Sequence, residues 1–126
     1  MVHELDKAIE VAEHIRRNKL AGIVITNKRR EELWSYVVEL LNRLESSSQP
    51  RISFALVHYE TLQDSLKSFE IEIARKSALI KLYLDGNCVF EQEGLLGSKL
   101  NDEIALKRGI RESLKLYSIN MKFKAE

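Results

Sequence analysis

Two short apolar runs with a helix-length segment between them constrain the fold of this chain most strongly. Residues 20–26 (LAGIVIT) and 52–59 (ISFALVHY) are rich in β-branched and aromatic side chains. Near-continuous apolar runs of this length are typical of strands that are buried on both faces. Residues 28–46 place apolar side chains at helical spacing, at Leu33, Val37, Leu41 and Leu44. Because a helical crossover joins parallel strands, this pattern predicts an α/β sheet with two parallel strands.

The second half of the chain predicts a hairpin followed by a helix. Residues 78–84 (ALIKLYL) form a third apolar run, and Asp85-Gly86 is a strong signal for a two-residue turn. Residues 88–93 (CVFEQE) then form the return strand, and their charges suit the edge of a sheet. A last helix is predicted over 100–118, where Gly109 is a candidate kink and apolar side chains recur at Leu106, Ile110, Leu114 and Tyr117.

Two further helices complete the predicted order of elements. Residues 4–18 carry an apolar stripe at helical spacing, and Thr61 with Asp64 resembles a capping box that starts a short helix containing Leu62, Leu66 and Phe69. The order becomes α-β-α-β-α-β-β-α. It predicts a mixed four-stranded sheet flanked by helices on both faces, with one extra N-terminal helix.

The length of 126 residues suits a single domain. We divide it into an N-terminal helical extension (1–19), a core (20–118) and a tail (119–126). The tail begins INMKF and, like Ser118 before it, continues an alternation of apolar and polar residues, so two interpretations stay open. It either forms a strand, in this sheet or in that of another chain, or lies as a terminus on the body of the protein.

Composition excludes several functional classes. The net charge is +1, which provides no whole-chain signal for binding nucleic acid or a membrane. One cysteine, Cys88, cannot form an internal disulfide, and the polar N-terminus lacks the features of a signal peptide. No apolar run is long enough to span a membrane. We therefore expect a soluble, cytoplasmic protein that needs no cofactor.

The element order from about residue 21 to residue 117 resembles the core of the thioredoxin-like superfamily. The local match is best over residues 69–94 (FEIEIARKSALIKLYLDGNCVFEQEG), where a helix ends, an apolar strand follows, and the chain turns at Asp85-Gly86. Gly86 and Gly94 fall where the family has glycines. The resemblance implies the fold of that superfamily, with residues 1–19 in place of its variable N-terminal segment.

The family's redox motif is missing from this sequence. Its CxxC pair follows the first core strand, and that place here reads Thr26-Asn27-Lys28-Arg29-Arg30-Glu31. Its cis-proline precedes the third core strand, where this chain has Ala78, and a cis bond before a non-proline residue costs about 2.5–4 kcal/mol. We therefore expect a trans bond at Ala78 and a redox-inactive protein.

Cys88 and the histidines are the remaining candidates for chemistry. A two-residue turn places Cys88 opposite Tyr83 and on the same face as Phe90, where we expect it to pack as a small apolar side chain. His3 and His14 would lie about 16 Å apart on one helix. They would then be too far apart to share a metal ion, so we expect no metal site.

The segment Asn27-Lys28-Arg29-Arg30 is the one candidate binding site in the sequence. If Asn27 or Thr26 caps the following helix, three cations occupy its first turn, where the helix dipole disfavours them. Free backbone N–H groups and basic side chains beyond the carboxyl end of a strand form a site for an anion or an acidic partner. The alternative is a solvated turn, and Arg16, Arg17 and Lys19 are further cations that sequence alone does not place.

These observations favour a non-catalytic interaction module that binds an acidic protein partner or anion through Lys28, Arg29 and Arg30. A homodimer is also possible. The alternatives are an accessory protein that binds nucleic acid through the same cations, and an enzyme that uses scattered residues such as His58, Tyr59 and Glu60.

Overall fold

A computed structural model describes residues 2–124 of the chain. Its seven strands are β1 His3–Leu5, β2 Leu20–Thr26, β3 Ser48–Gln49, β4 Ser53–His58, β5 Ala78–Leu84, β6 Asn87–Glu93 and β7 Lys122–Phe123. Its four α-helices are α1 Ala8–Arg17, α2 Glu31–Ser47, α3 Ser68–Lys76 and α4 Lys99–Lys115, and a 3-10 helix spans Tyr59–Ser65. No helix in this part of the chain is both long and apolar enough to cross a membrane.

The main sheet has five strands in the order β1-β4-β2-β5-β6. Strands β2 and β4 are parallel neighbours, with Ala21 opposite Ser53 and Thr26 opposite His58. This pairing confirms the prediction made from the crossover through α2. Strand β5 lies antiparallel to β2 and β6 antiparallel to β5, as the Asp85-Gly86 hairpin requires. The turn residues Asp85 and Gly86 both have positive φ, which suits a two-residue hairpin loop.

Strand β1 corrects the predicted four-stranded sheet to five strands. Residues 3–5 pair in parallel with β4, and His3 lies opposite Ala55, so the predicted helix over 4–18 is too long. The helix begins at Ala8, because the Glu10 carboxylate accepts hydrogen bonds from the N–H groups of Asp6 and Lys7 at 3.0 and 3.1 Å. These bonds satisfy N–H groups at the helix entrance and separate strand from helix.

Two hydrophobic cores lie on opposite faces of the sheet. The first is covered by α2 and α4, and its buried members include Val24, Phe54, Ile80, Val37, Leu41, Leu106 and Ile110. The second is covered by α1 and α3, and its buried members are Val11, Ile23, Ile25, Ala55, Val57, Ala74 and Leu79. Both faces of β2 and β4 are therefore buried, as their continuous apolar runs indicate.

The hairpin contains an irregularity that the sequence did not predict. Tyr83 lies opposite Cys88 as expected, but the register shifts between Leu82 and Tyr83, so Leu82 lies opposite Phe90. The extra residue, Val89, separates the directions of Cys88 and Phe90. The expectation that Cys88 and Phe90 share a face is therefore wrong. Phe90 packs against the first core, whereas Tyr83, the residue opposite Cys88, packs against the second.

The short helix after β4 begins later than the capping-box pattern predicts. Thr61 and Asp64 lie inside the 3-10 helix, and α3 starts at Ser68. At that start the Glu70 carboxylate accepts a hydrogen bond from the N–H of Lys67 at 2.9 Å. The acidic residue that caps the helix is therefore Glu70 rather than Asp64.

Helix α4 packs closely on the sheet, and the tail forms a strand outside it. Gly109 allows Phe90 to approach α4 closely, since a Cβ atom at this position would lie 2.5 Å from Cε1 of the Phe90 ring. The tail forms β7, which pairs with β3 in a separate two-stranded sheet and does not extend the main sheet. Residues 125–126 of the predicted tail lie outside the described residues.

Candidate functional site

The turn 27–30 follows the last residue of β2, at the carboxyl edge of the sheet. Thr26 donates a hydrogen bond through its hydroxyl to the carbonyl of Ser77. The Asn27 amide donates from Nδ2 to the carbonyl of Arg75 at 3.1 Å, and its Oδ1 accepts from the N–H of Arg29 at 3.1 Å. The backbone of the turn is therefore anchored to the segment that joins α3 to β5.

The basic residues precede helix α2 and do not form its first turn. The helix begins at Glu31 with Arg30 as the N-cap residue, which corrects the predicted start at residue 28 and the predicted cap at Asn27 or Thr26. Asn27 instead uses its side chain to fold the turn, a common local role for asparagine. Glu31 and Glu32 occupy the first turn, where the helix dipole favours carboxylates.

Two of the cations face carboxylates from other elements. The Lys28 Nζ lies 3.6 Å from Oε1 of Glu4 in β1 and 5.6 Å from the centre of the Trp34 ring. The Arg29 guanidinium lies 2.5 Å from Oε1 of Glu60. All four charged side chains of these pairs are about 40% exposed or more. Pairs this exposed contribute at most about 1 kcal/mol each, so a carboxylate on a partner can compete for these cations.

Arg30 has a different kind of contact. Its Nη1 donates a hydrogen bond of 2.6 Å to the carbonyl of Lys76, at the last residue of α3. Lys76 and Arg75 add two exposed cations to the same edge, and both contact the carboxylate of Glu72. Sequence reasoning missed Arg75 and Lys76, because they lie more than 40 residues from the turn and no motif connects the two segments.

The start of the loop after β6, at Gly94 and Leu95, lies beside the segment that anchors the turn. The N–H of Leu95 donates to the Ser77 hydroxyl at 2.9 Å, and the N–H of Gly94 donates to the carbonyl of Ala78 at 2.8 Å. Three loops therefore meet at one edge of the sheet. In residues 2–124 the one cis peptide bond precedes Pro50, so the bond before Ala78 is trans as expected.

His58 and Glu60 lie beside the turn and are already engaged. The Nδ1 of His58 accepts from the N–H of Lys28 at 3.0 Å, so its Nε2 carries the proton and donates to Glu60 at 2.9 Å. This hydrogen bond, with the nearby Arg29, lowers the pKa of Glu60. The ring of Tyr59 packs against that of His58, with the ring centres 4.8 Å apart. The structure thus brings these three residues together but leaves neither ring nitrogen of His58 free to act as a base.

An open groove of about 900 Å³ runs along α2 beside the turn. Trp34 and Val38 provide its apolar lining, and Glu4 places the Lys28 ion pair at its margin. Two further carboxylates line it, Glu39 and Glu45, and these pair with Lys99 and Arg51. The groove is therefore balanced in charge and partly apolar.

Cys88 lies far from the turn. Its partner Tyr83 is next to Leu84, which pairs with Leu20 at the first residue of β2, whereas the turn follows the last residue of that strand. Cys88 is exposed on the edge strand β6, which corrects the expectation that it is packed. Partial burial of the thiol and the nearby carboxylate of Glu91 raise the pKa of Cys88, so the reactive thiolate is disfavoured.

His3 and His14 lie much closer together than predicted. His3 belongs to β1 and His14 to α1, and their ring centres are 5.8 Å apart. The estimate of about 16 Å assumed that one helix carried both. The buried His14 ring uses Nε2 to bond to the carbonyl of Ser53 at 2.8 Å. Within residues 2–124, no three His, Cys, Asp or Glu side chains are arranged to hold a metal ion.

Comparison with solved structures identifies the fold. The thioredoxin of Plasmodium falciparum is 15% identical and superimposes with a TM-score of 0.59 over 87% of this chain and 97% of its own. A point mutant of the thioredoxin from Halobacterium salinarum is 19% identical, with a TM-score of 0.61 over 89% of each chain. Mitochondrial thioredoxin 3 from Saccharomyces cerevisiae, in its oxidised form, is 17% identical, with a TM-score of 0.57 over 88% and 94%. No protein-family model and no curated protein matches the sequence.

A mixed five-stranded sheet between two pairs of helices defines the structural class of this protein. The chain has the thioredoxin fold. Identities of 15–19% establish the fold alone, so the activity of those thioredoxins does not transfer. The single cysteine of this chain, Cys88, lies on β6 and not in the turn 27–30.

Proposed function

We propose that this protein is a non-catalytic interaction module of the thioredoxin fold that binds an acidic protein partner at the turn 27–30. One observation carries the proposal. Lys28, Arg29 and Arg30 are exposed on a turn that Asn27 anchors to the 75–77 segment, at the edge where parallel α/β sheets bind ligands. A backbone held in this way presents the cations at fixed positions, which lowers the entropic cost of binding.

The absence of catalysis is supported by two features of the described chain. The turn offers no thiol, and Cys88 lies at the other edge of the sheet with a raised pKa. His58 has both ring nitrogens engaged, and Glu60 has a lowered pKa, which weakens it as a general base. Neither residue supports the alternative of an enzyme at this edge.

An acidic partner is favoured over nucleic acid by the balance of charges. Glu4, Glu60 and Glu72 lie among the cations, so the edge carries separated basic positions rather than the continuous basic stripe that a phosphate backbone needs. Carboxylates on a partner can replace the exposed internal ones pair by pair.

Anisotropy titration with a fluorescein-labelled polyglutamate peptide tests the proposal. The variant combines Lys28→Gln, Arg29→Gln and Arg30→Gln, and a matched control combines Arg16→Gln, Lys19→Gln and Lys122→Gln, three cations near the opposite edge of the sheet. We expect the turn variant to bind about tenfold more weakly at low salt, since three exposed charge contacts of up to about 1 kcal/mol each are lost. The difference should shrink at high salt.

The control loses the same three charges and so reports any weakening that comes from net charge alone. It should bind within about twofold of the unmodified protein, because its turn 27–30 is intact. A thermal melt of each variant accompanies the titration. Equal weakening in both variants would remove the turn as a site, and tighter binding of an oligothymidine than of polyglutamate would favour the nucleic-acid alternative. A drop in melting temperature with unchanged affinity would assign the three cations a structural role only.

A further inference from the structure

Helix α4 has an apolar side that faces solvent in addition to the side that faces the core. Its inward side is formed by Leu106, Ile110 and Leu114, which are fully buried. On its outward side Leu100 is 66% exposed and Ile104 is 48% exposed, and Leu96 just before the helix is 72% exposed. Clustered exposed aliphatic side chains next to charged ones are typical of interaction surfaces.

The same helix carries five cations that differ in their contacts. Lys99 pairs with Glu39, and Lys107 lies 3.8 Å from Glu103. The other three are exposed and have no ion-pair partner anywhere in residues 2–124: Arg108, Arg111 and Lys115. One exposed carboxylate, Glu112, lies near them. In contrast to the turn 27–30, these charges are not satisfied within the described chain.

The apolar and basic residues share one side of α4 but occupy different halves of it. Steps of four residues relate Leu100 to Ile104, Ile104 to Arg108, and Arg111 to Lys115. A step of three residues connects Arg108 to Arg111, so all five side chains lie on one side of the helix. The midpoint of Leu100 and Ile104 lies roughly nine residues before the midpoint of the three cations. That separation corresponds to about 14 Å along the helix axis. We call this the α4 surface: Leu96, Leu100, Ile104, Arg108, Arg111 and Lys115.

We propose that the α4 surface is a second docking site, which binds a protein segment with apolar side chains at one end and carboxylates about 14 Å further along. The acidic end of this segment is inferred from charge complementarity, because it would lie against Arg108, Arg111 and Lys115, which have no ion-pair partner in residues 2–124. The exposed aliphatic side chains identify the apolar end. This site shares no residue with the turn 27–30, so it stands or falls independently of the proposed function.

Two other classes of partner fit the α4 surface less well. Single-stranded nucleic acid stacks its bases on aromatic side chains, and none of the six residues of the α4 surface is aromatic. The exposed Tyr117 follows the end of the helix and is not part of that surface. Helices that lie on membranes place apolar residues on one side and cations on the flanks along their whole length. Here the apolar and basic groups follow one another along the axis, and the buried side of α4 is the more apolar one.

Nuclear magnetic resonance titration with designed helical peptides tests this proposal. Each probe carries leucines on one half and glutamates on the other half of one face, and the two probes have these halves in opposite orders. We expect one of them to shift the backbone amide signals of residues 96–116 selectively. Combining Arg108→Gln, Arg111→Gln and Lys115→Gln should weaken binding about tenfold at low salt, and Leu100→Ser with Ile104→Ser should weaken it about fivefold or more.

The matched control neutralises the same number of charges at the turn, by Lys28→Gln, Arg29→Gln and Arg30→Gln. It should leave affinity at the α4 surface within about twofold, because the charge loss is equal but the site is intact. Amide shifts that map to the turn, or a peptide with interleaved leucine and glutamate that binds equally well, would overturn the proposal. Stronger shifts of the same residues by an oligothymidine or by phosphatidylserine vesicles would assign the surface to another class of partner.

Discussion

The Asp102 carboxylate connects α4 to α2 and to the 94–98 loop. Replacing it tests how much these contacts contribute to the free energy of unfolding. Asp102 lies in the first turn of α4 and is fully buried. It accepts hydrogen bonds from the N–H groups of Leu96 and Gly97 at 2.6 and 3.1 Å, and from the hydroxyl of Tyr36 in α2 at 2.5 Å. Burial and this hydrogen bond raise the pKa of the Tyr36 phenol. The carboxylate thus holds the 94–98 loop and α2 against α4.

The expected energies follow from the number of hydrogen bonds lost. Asp102→Asn keeps the size of the side chain but replaces an acceptor oxygen with an NH₂ group that faces donors. A hydrogen bond to a charged group contributes about 1.5–3 kcal/mol, and an unsatisfied buried donor costs about 1–3 kcal/mol. We therefore expect Asp102→Asn to lower the free energy of unfolding by about 3 kcal/mol. Tyr36→Phe removes one bond only and should cost about 1.5–2 kcal/mol.

Urea unfolding followed by circular dichroism measures both values, and calorimetry should show a drop in melting temperature of about 10 °C for Asp102→Asn in a chain of this size. The double variant should cost less than the sum of the single ones, because the two residues share a bond. Glu112→Gln is the matched control, since this carboxylate lies exposed on the same helix, and it should change stability by less than about 0.5 kcal/mol. A cost for Asp102→Asn no larger than that of Glu112→Gln would refute the reasoning.

Two further predictions concern pH and redox chemistry. The N–H of Lys67, with the ammonium of Lys81, lowers the pKa of Glu70, so this carboxylate stabilises the fold above its unfolded-state pKa and loses that contribution as pH falls. Glu70→Gln should flatten the fall in urea midpoint between about pH 5 and pH 3, whereas Glu112→Gln should follow the unmodified protein. The purified protein should not reduce insulin disulfides with dithiothreitol faster than its Cys88→Ala variant, because one thiol cannot complete a two-thiol cycle within one chain. A turbidity assay measures this rate, and turnover above that variant would contradict the prediction.

The central elements could be predicted from local sequence. Residues 20–26 and 52–59 are almost continuously apolar, and the periodicity of 28–46 is helical, so a crossover and a parallel pair follow directly. Asp85-Gly86 located the hairpin, because few other dipeptides adopt positive φ at both turn positions. The N-terminal strand was missed because three residues are too few to show a periodicity, and their pairing partner lies about 50 residues away in β4.

Only part of the candidate site could be predicted from the sequence. The sequence located three cations after the first buried strand, and that strand end is indeed at the carboxyl edge of the sheet. It could not identify the groups that contact them, since Glu4, Glu60 and the Lys76 carbonyl come from three other segments. It also misplaced the helix start, because Asn27 bonds to its own turn and to the 75–77 segment instead of capping α2.

The sequence by itself determined the types and order of the central elements, because strand and helix patterns are set by residues two to four positions apart. The tertiary structure alone decided which charges are satisfied. It paired the cations of the turn 27–30 with distant groups and left Arg108, Arg111 and Lys115 without partners in residues 2–124. It also brought His3 and His14 together. Electrostatic contacts depend on distance in space, and only the crossovers of the folded chain convert separations of tens of residues into a few ångströms.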